Sequence, residues 1–249
     1  MEAAQAYLRG GLCVLPARRD QKRPTVPWKA FQKRLPTPAE LDEWFARGPS
    51  ALCVLTGEIS DNAELIDFDA GGELFERWCE KVRAASPGLL ERLVLSKTQS
   101  DGRHAAYRHE AEVCGNLKLA QRSDGDRIIT LIETRSEGGL FLCAPTEGYE
   151  LTQGDLCELP VLTENERDIL LQAAWELNEY LPPVVDGPAG SAPVSARLAP
   201  VANTDGKPSQ GTTVPGLRPG DDFNERGSCL LYTSDAADEL DGVDLGGRR

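Results

Sequence analysis

No stretch of about 20 apolar residues occurs anywhere in the 249-residue sequence, so no segment is expected to cross a bilayer as a helix. The N-terminus lacks the apolar run of a secretory signal. Seven cysteines are present (Cys13, Cys53, Cys79, Cys114, Cys143, Cys157 and Cys229), but none form a C-x-x-C pair. Their odd number and wide spacing argue against a zinc cage or a disulfide framework. In Leu12-Cys13-Val14 and Leu52-Cys53-Val54 the thiol reads as a small buried hydrophobe, which fits a reducing compartment. Histidine is scarce, with only His104 and His109. A G-x-x-x-x-G-K-[ST] phosphate loop is missing, so the chain carries no sign of a helicase-type ATPase. The expectation is a soluble, cytoplasmic protein with no membrane partner.

A formal net charge of −13 speaks against a surface coated in positive charge. What positive charge exists is unevenly spread. Arg18, Arg19, Lys22, Arg23, Lys29, Lys33 and Arg34 fall in one short segment against a single acid, Asp20. Such a segment is either a solvated loop or a patch for a phosphate backbone or a triphosphate.

Along the chain, Ala3, Ala4, Tyr7 and Leu8 are spaced for a short helix stopped by Gly10-Gly11. A strand over Leu12–Leu15 follows, then the basic segment, whose prolines speak against regular structure. Thr37-Pro38-Ala39-Glu40 opens a helix as a capping box, and Leu41, Trp44 and Phe45 form its buried stripe. Ala51–Leu55 reads as a strand. Leu74, Trp78 and Val82 predict an amphipathic helix over 72–85. Strands are expected at Leu93–Ser96, Ala105–Arg108, Arg127–Thr134 and Leu140–Ala144. A second capping box, Thr163 to Glu166, opens a helix to about Tyr180. Strands grouped in the middle with helices interspersed give an α+β or mixed α/β class.

The most informative stretch is Glu64-Leu-Ile-Asp-Phe-Asp-Ala70. Alternation along a strand sends Ile66 and Phe68 to a core and puts Asp67 and Asp69 together on the other face. Two like charges about 6–7 Å apart repel by roughly 2–3 kcal/mol at an effective dielectric near 20. Solvation at a strand end relieves that repulsion, and so does protonation of one acid or a divalent cation between them. Three further pieces lie downstream. Ser96-Lys-Thr-Gln-Ser-Asp-Gly-Arg-His104 is a polar turn that delivers a histidine. Leu131-Ile-Glu-Thr-Arg135 places Glu133 at the end of an apolar strand. Glu137-Gly-Gly-Leu-Phe-Leu-Cys-Ala-Pro145 is a glycine turn running into another strand.

In this order, "AYLRGGLCVLP", "KRPTVPW", "ELDEWF", "VLTGEIS", "LIDFDA", "SDGRHAAYR" and "IETRSEGGLFLCAPT" resemble the bifunctional DNA primase/polymerase N-terminal family of the archaeo-eukaryotic primase superfamily. The resemblance covers roughly residues 3–150. It implies an α+β primase-like catalytic domain with a mixed sheet resembling an RNA-recognition fold. It also implies primer synthesis and extension in phage or plasmid-type replication, on a single-stranded DNA template with nucleoside triphosphates. By the same resemblance Asp67, Asp69 and Glu133 would be the catalytic acids and the ligands of two Mg²⁺ or Mn²⁺ ions. His104 would contact the triphosphate, with Arg103, Arg108 and Lys22 as further phosphate partners. Two departures stand out: Asp101-Gly102 where members often have Gly-Gly, and Ala144-Pro145-Thr146 where they often have Pro-Pro-Ser.

The catalytic domain is expected over residues 1–181. A Pro/Gly/Ser-rich flexible linker is expected over 182–220, and a truncated joint with an acidic tail over 221–249. Arg218–Asn224 resembles the joint that leads to a helicase region in phage and plasmid primases, so such a region is expected to be missing. From about Ser228 the chain resembles translated adapter read-through and is expected to be non-native. Two other classes remain open: a metal-dependent nuclease or nucleotidyltransferase that uses the D-x-D pair, and a non-catalytic single-stranded nucleic-acid-binding module.

Overall fold

The computed structural model describes residues 2–125 and 127–180. The expected linker and tail, 182–249, lie outside the described residues. In chain order the elements are α1 (Glu2–Arg9), β1 (Cys13–Arg18), β2 (Arg23–Pro24), α2 (Pro38–Ala46), β3 (Ala51–Leu55) and β4 (Ala63–Phe68). Then come α3 (Phe75–Ala85), β5 (Val94–Lys97), β6 (Arg103–His109), β7 (Lys118–Asp124) and β8 (Arg127–Arg135). The last are β9 (Leu140–Leu142), β10 (Glu150–Gln153), β11 (Val161–Leu162) and α4 (Glu164–Trp175). The result is a mixed α+β domain. No helix among the described residues is long and apolar enough to cross a membrane.

Two sheets carry the fold. The smaller runs β2-β1-β3-β9 and the larger runs β10-β5-β6-β4-β8-β7, with β11 added parallel to the end of β6. Every other pairing is antiparallel. The sheets share a core in which Leu12, Val14, Leu52, Val54 and Phe141 of the small sheet and its flank meet Ala63, Leu65, Val94 and Ala106 of the large one. Alternation then sends Ile66 and Phe68 to the opposite side of the large sheet, where both are fully buried. There Phe68 packs against Phe75 and Trp78 of α3, with ring centroids 5.2 and 4.9 Å away. Trp78 Nε1 donates to Leu170 O of α4 at 2.9 Å, which ties the two helices together.

A buried ion pair anchors α4 to the central strand. Arg167 Nη2 donates to Glu64 Oε1 at 2.8 Å, its Nε donates to the other oxygen, and the Tyr107 and Ser136 hydroxyls donate to the same carboxylate. Burial pushes the Glu64 carboxyl up, but the Arg167 charge and these hydrogen bonds outweigh it and hold the group below its ordinary value.

Both capping boxes are present as expected, Thr37 with Glu40 and Thr163 with Glu166. Several boundaries differ from expectation. The third helix starts at Phe75 rather than 72, because Gly71 and Gly72 both adopt positive φ (69° each) and turn the chain first. The last helix ends at Trp175, short of Tyr180. The basic segment is not irregular throughout: it holds β2 and a 3-10 turn over Trp28–Gln32.

Candidate active site

The central strand of the large sheet ends at the acids. In register, Asp67 of β4 lies opposite His104 of β6 on one side and Glu133 of β8 on the other. His104 in turn lies opposite Ser96 of β5, and Glu133 opposite Lys118 of β7. Directly opposed residues point to the same face, so these five side chains form one row across the sheet, about 19 Å long at strand spacing. The ladder continues one residue past β4: Asp69 N donates to Leu131 O at 3.0 Å, which holds Asp69 beside the strand that carries Glu133. Asp67, Asp69 and Glu133 thereby bring carboxylate oxygens within 4.8 Å of one another.

Glycine permits the close approach. A side chain at Gly102 would place its Cβ 2.6 Å from Phe68 O, so only glycine lets the β5–β6 turn close against the end of β4. That contact fixes where β6 begins and sets His104 level with Asp67. The neighbouring Asp101 (φ 59°) is exposed, and its carboxylate pairs with Lys97 Nζ at 2.9 Å. The negative charge that stands where glycine is often found therefore has its own counter-ion.

The electrostatics separate the three acids. Burial pushes Asp67 up, but the hydrogen bond and charge of His104, followed by Arg135 and Lys22, bring it below its ordinary value. His104 Nε2 stands 3.4 Å from Asp67 Oδ1, while its buried Nδ1 has no hydrogen-bond partner among the described residues. Asp69 is raised, first by burial and then by the Asp67 charge. Glu133 is also raised: burial dominates, and Asp67 and Asp69 add to it against the opposing charge of Arg135. Two of the three acids thus resist ionisation in this setting, and added positive charge would relieve them.

The expected site residues do not all converge. Asp67, Asp69, Glu133 and His104 come together, and Lys22 lies near enough to favour ionisation of both aspartates. Arg103, one residue from His104, falls on the opposite face. Its Nη1 donates to Asp101 O and Gly102 O, and its guanidinium lies 5.9 Å from the centre of the Phe75 ring. Arg108 shares the His104 face but stands four residues further along, about 13 Å away. It donates to Gly10 O at 2.6 Å and lies 3.6 Å from Asp61. In the basic segment, Arg18, Arg19 and Arg34 are engaged with acids. Among the described residues, Lys22, Arg23, Lys29 and Lys33 form no ion pair. Sequence reasoning missed Arg135 and Lys118. Arg135 follows Glu133 by two positions and so shares its face, which is a legible signal; Lys118 needed the pairing register.

The class these features define is an α+β domain with a carboxylate centre on a sheet face, built from hard oxygen donors that could hold a divalent cation. The bifunctional DNA primase/polymerase N-terminal family matches residues 4–162, and the chain belongs to it. No curated protein matches the chain. Membership places it in a nucleotidyltransferase-type family whose substrates are nucleotides and a DNA template.

Proposed function

We propose that the protein is a DNA primase/polymerase that joins nucleotides on a single-stranded template, with Asp67, Asp69 and Glu133 as its catalytic acids. The convergence of these three carboxylates from two paired strands carries the reading. The donor set fits divalent cations: three oxygens are close together, two of the groups have raised pKa values, and no thiol lies among them. Bound there, such ions supply Lewis-acid chemistry, making a primer 3′-hydroxyl more acidic and neutralising charge on the leaving pyrophosphate.

The protein's own residues do the rest. Asp67 sits in the middle of the ladder, fixed on both sides by main-chain pairing, so its carboxylate has a defined place relative to Glu133. Held by strands rather than loops, the acids need little reorganisation when substrate arrives. His104 orients against Asp67 through Nε2 and keeps a buried Nδ1 that a ligand atom would satisfy. Its neighbours Phe141 and Tyr149, with ring centroids 5.7 and 6.1 Å away, wall that side against water. Lys22 lies near enough for its charge to favour ionisation of both aspartates, and its ammonium is a point charge suited to phosphate. Arg103 and Arg108 are engaged elsewhere and take no part in this arrangement. The sheet that carries the row would be the surface resembling an RNA-recognition fold, and a phage or plasmid-type replication setting is consistent with the family.

The test is incorporation of labelled nucleotide on a single-stranded template of defined sequence. The expected result is extension that follows the template, requires Mg²⁺ or Mn²⁺ and stops with a chelator. Incorporation indifferent to template sequence would assign the centre to untemplated transfer, and cleavage of the template without synthesis would assign it to a nuclease.

A further inference from the structure

Arg135 occupies an unusual place. Its position on β8, opposite Leu65, aims it along the face that carries Glu133 and Asp67. The side chain is 31% exposed, so it is neither solvated freely nor locked in the core. One guanidinium nitrogen, Nη2, contacts Glu133 Oε1 and lies 3.4 Å from Asp67 Oδ2. A single cationic nitrogen therefore bridges two carboxylates of the candidate metal centre. The other side chains nearby approach differently: His104 meets Asp67 through its other oxygen, and Lys118 stands across from Glu133 on the neighbouring strand.

We infer that Arg135 is an internal counter-cation, which holds the acid cluster together in the metal-free protein and is handed over to the nucleotide triphosphate when divalent ions enter. The inference rests on reading the cluster as a nucleotidyl-transfer centre. Arginine cannot shed its charge by deprotonation, so an entering cation and the guanidinium compete for the same oxygens. Without a triphosphate the displaced guanidinium gains only water. With one, it meets oxyanions that its planar fork can bind in pairs. Metal and nucleotide binding are then coupled, each strengthening the other through one side chain, as linkage requires. The coupling would keep the centre from loading metal unproductively in the absence of substrate.

The experiment compares Mn²⁺ binding, followed by electron paramagnetic resonance of the free ion without nucleotide, in the full-length wild type, Arg135→Gln, Arg135→Lys and Asp67→Asn. Removing a cation that competes for the same carboxylate oxygens should tighten Mn²⁺ binding by about tenfold or more in Arg135→Gln. Arg135→Lys should stay near the wild type. At saturating Mn²⁺, nucleoside triphosphate affinity should fall about ten- to a hundredfold in Arg135→Gln, the effect of losing a charged hydrogen bond. Circular dichroism establishes that each variant is folded, and Arg135→Gln should melt lower than the wild type in chelator but gain more from Mn²⁺. Mn²⁺ binding by folded Arg135→Gln that is no tighter than wild type overturns the counter-cation role while leaving the metal centre standing. Equal Mn²⁺ binding by wild type and Asp67→Asn overturns the metal centre, and the inference with it.

Discussion

Asp69→Asn should make the metal-free protein more stable while destroying its response to metal. The Asp69 carboxyl is held above its ordinary value, first by burial and then by Asp67, so the folded state binds that proton more tightly than the unfolded chain. At neutral pH the ionised group therefore works against folding. Its oxygens lie within 4.8 Å of those of Asp67 and Glu133, where each like-charge pair repels by roughly 3.5 kcal/mol at an effective dielectric near 20. Lys22, Arg135 and solvent cancel most of this, leaving a net gain of about 0.5–1.5 kcal/mol for the amide. For a domain of this size that raises Tm by about 1–6 °C. The gain fades with acid: the penalty is full above the folded pKa and vanishes as pH falls below the unfolded value near 3.9, so the two proteins converge. Thermal melts in chelator at pH 7.5 and pH 4, repeated with Mn²⁺, measure all of this. A variant that melts below the wild type in chelator, or that gains as much from Mn²⁺, would refute the reasoning.

The remaining predictions concern the frame and the neighbours of the acids. Glu64→Leu should lower stability by about 3–5 kcal/mol in urea unfolding, because it strands a buried guanidinium beneath the central strand. Since the Glu64 pKa is depressed by Arg167 against burial, its contribution is present above the ordinary glutamate value and lost as pH falls through the folded one; Glu64→Leu should therefore lose less stability than wild type on acidification below about pH 4. His104→Ala should weaken nucleotide binding about ten- to a hundredfold and leave template binding unchanged, read by separate titrations; an unchanged nucleotide titration with a lowered Tm would make the histidine a core residue. Glu133→Gln should abolish incorporation without unfolding the domain, because it removes a charge that burial and its neighbours already oppose.

How much of this was legible in the sequence follows from the range of each interaction. The strand ending at Asp67 and Asp69 could be read from alternation alone, because Ile66 and Phe68 had to turn inward. The capping boxes were equally local. Glu133 could be recognised as a carboxylate at a strand end, but only the register of β4 against β8 sets it opposite Asp67, and register is a long-range property. Period-two counting could have separated Arg103 from His104; chain proximity suggested otherwise. The strand Lys118–Asp124 escaped notice because Lys-Leu-Ala-Gln-Arg-Ser-Asp holds little apolar alternation. It is held instead by pairing with β8 and, at its outer edge, through Gln121, whose N donates to Asn178 Oδ1 and whose O accepts from Glu179 N. The short β10 and β11 likewise exist because neighbours supply hydrogen bonds that their own sequences do not advertise.

The central claim is that three carboxylates on paired strands make a template-directed nucleotidyl-transfer centre. The most direct measurement offers single nucleotides, one at a time, to a primed single-stranded template with Mn²⁺, using wild type and Asp67→Asn in parallel. The wild type should add only the nucleotide complementary to the next template base and release pyrophosphate in equal amount, while folded Asp67→Asn should add none. Addition by the Asp67→Asn protein at the wild-type rate would contradict the account.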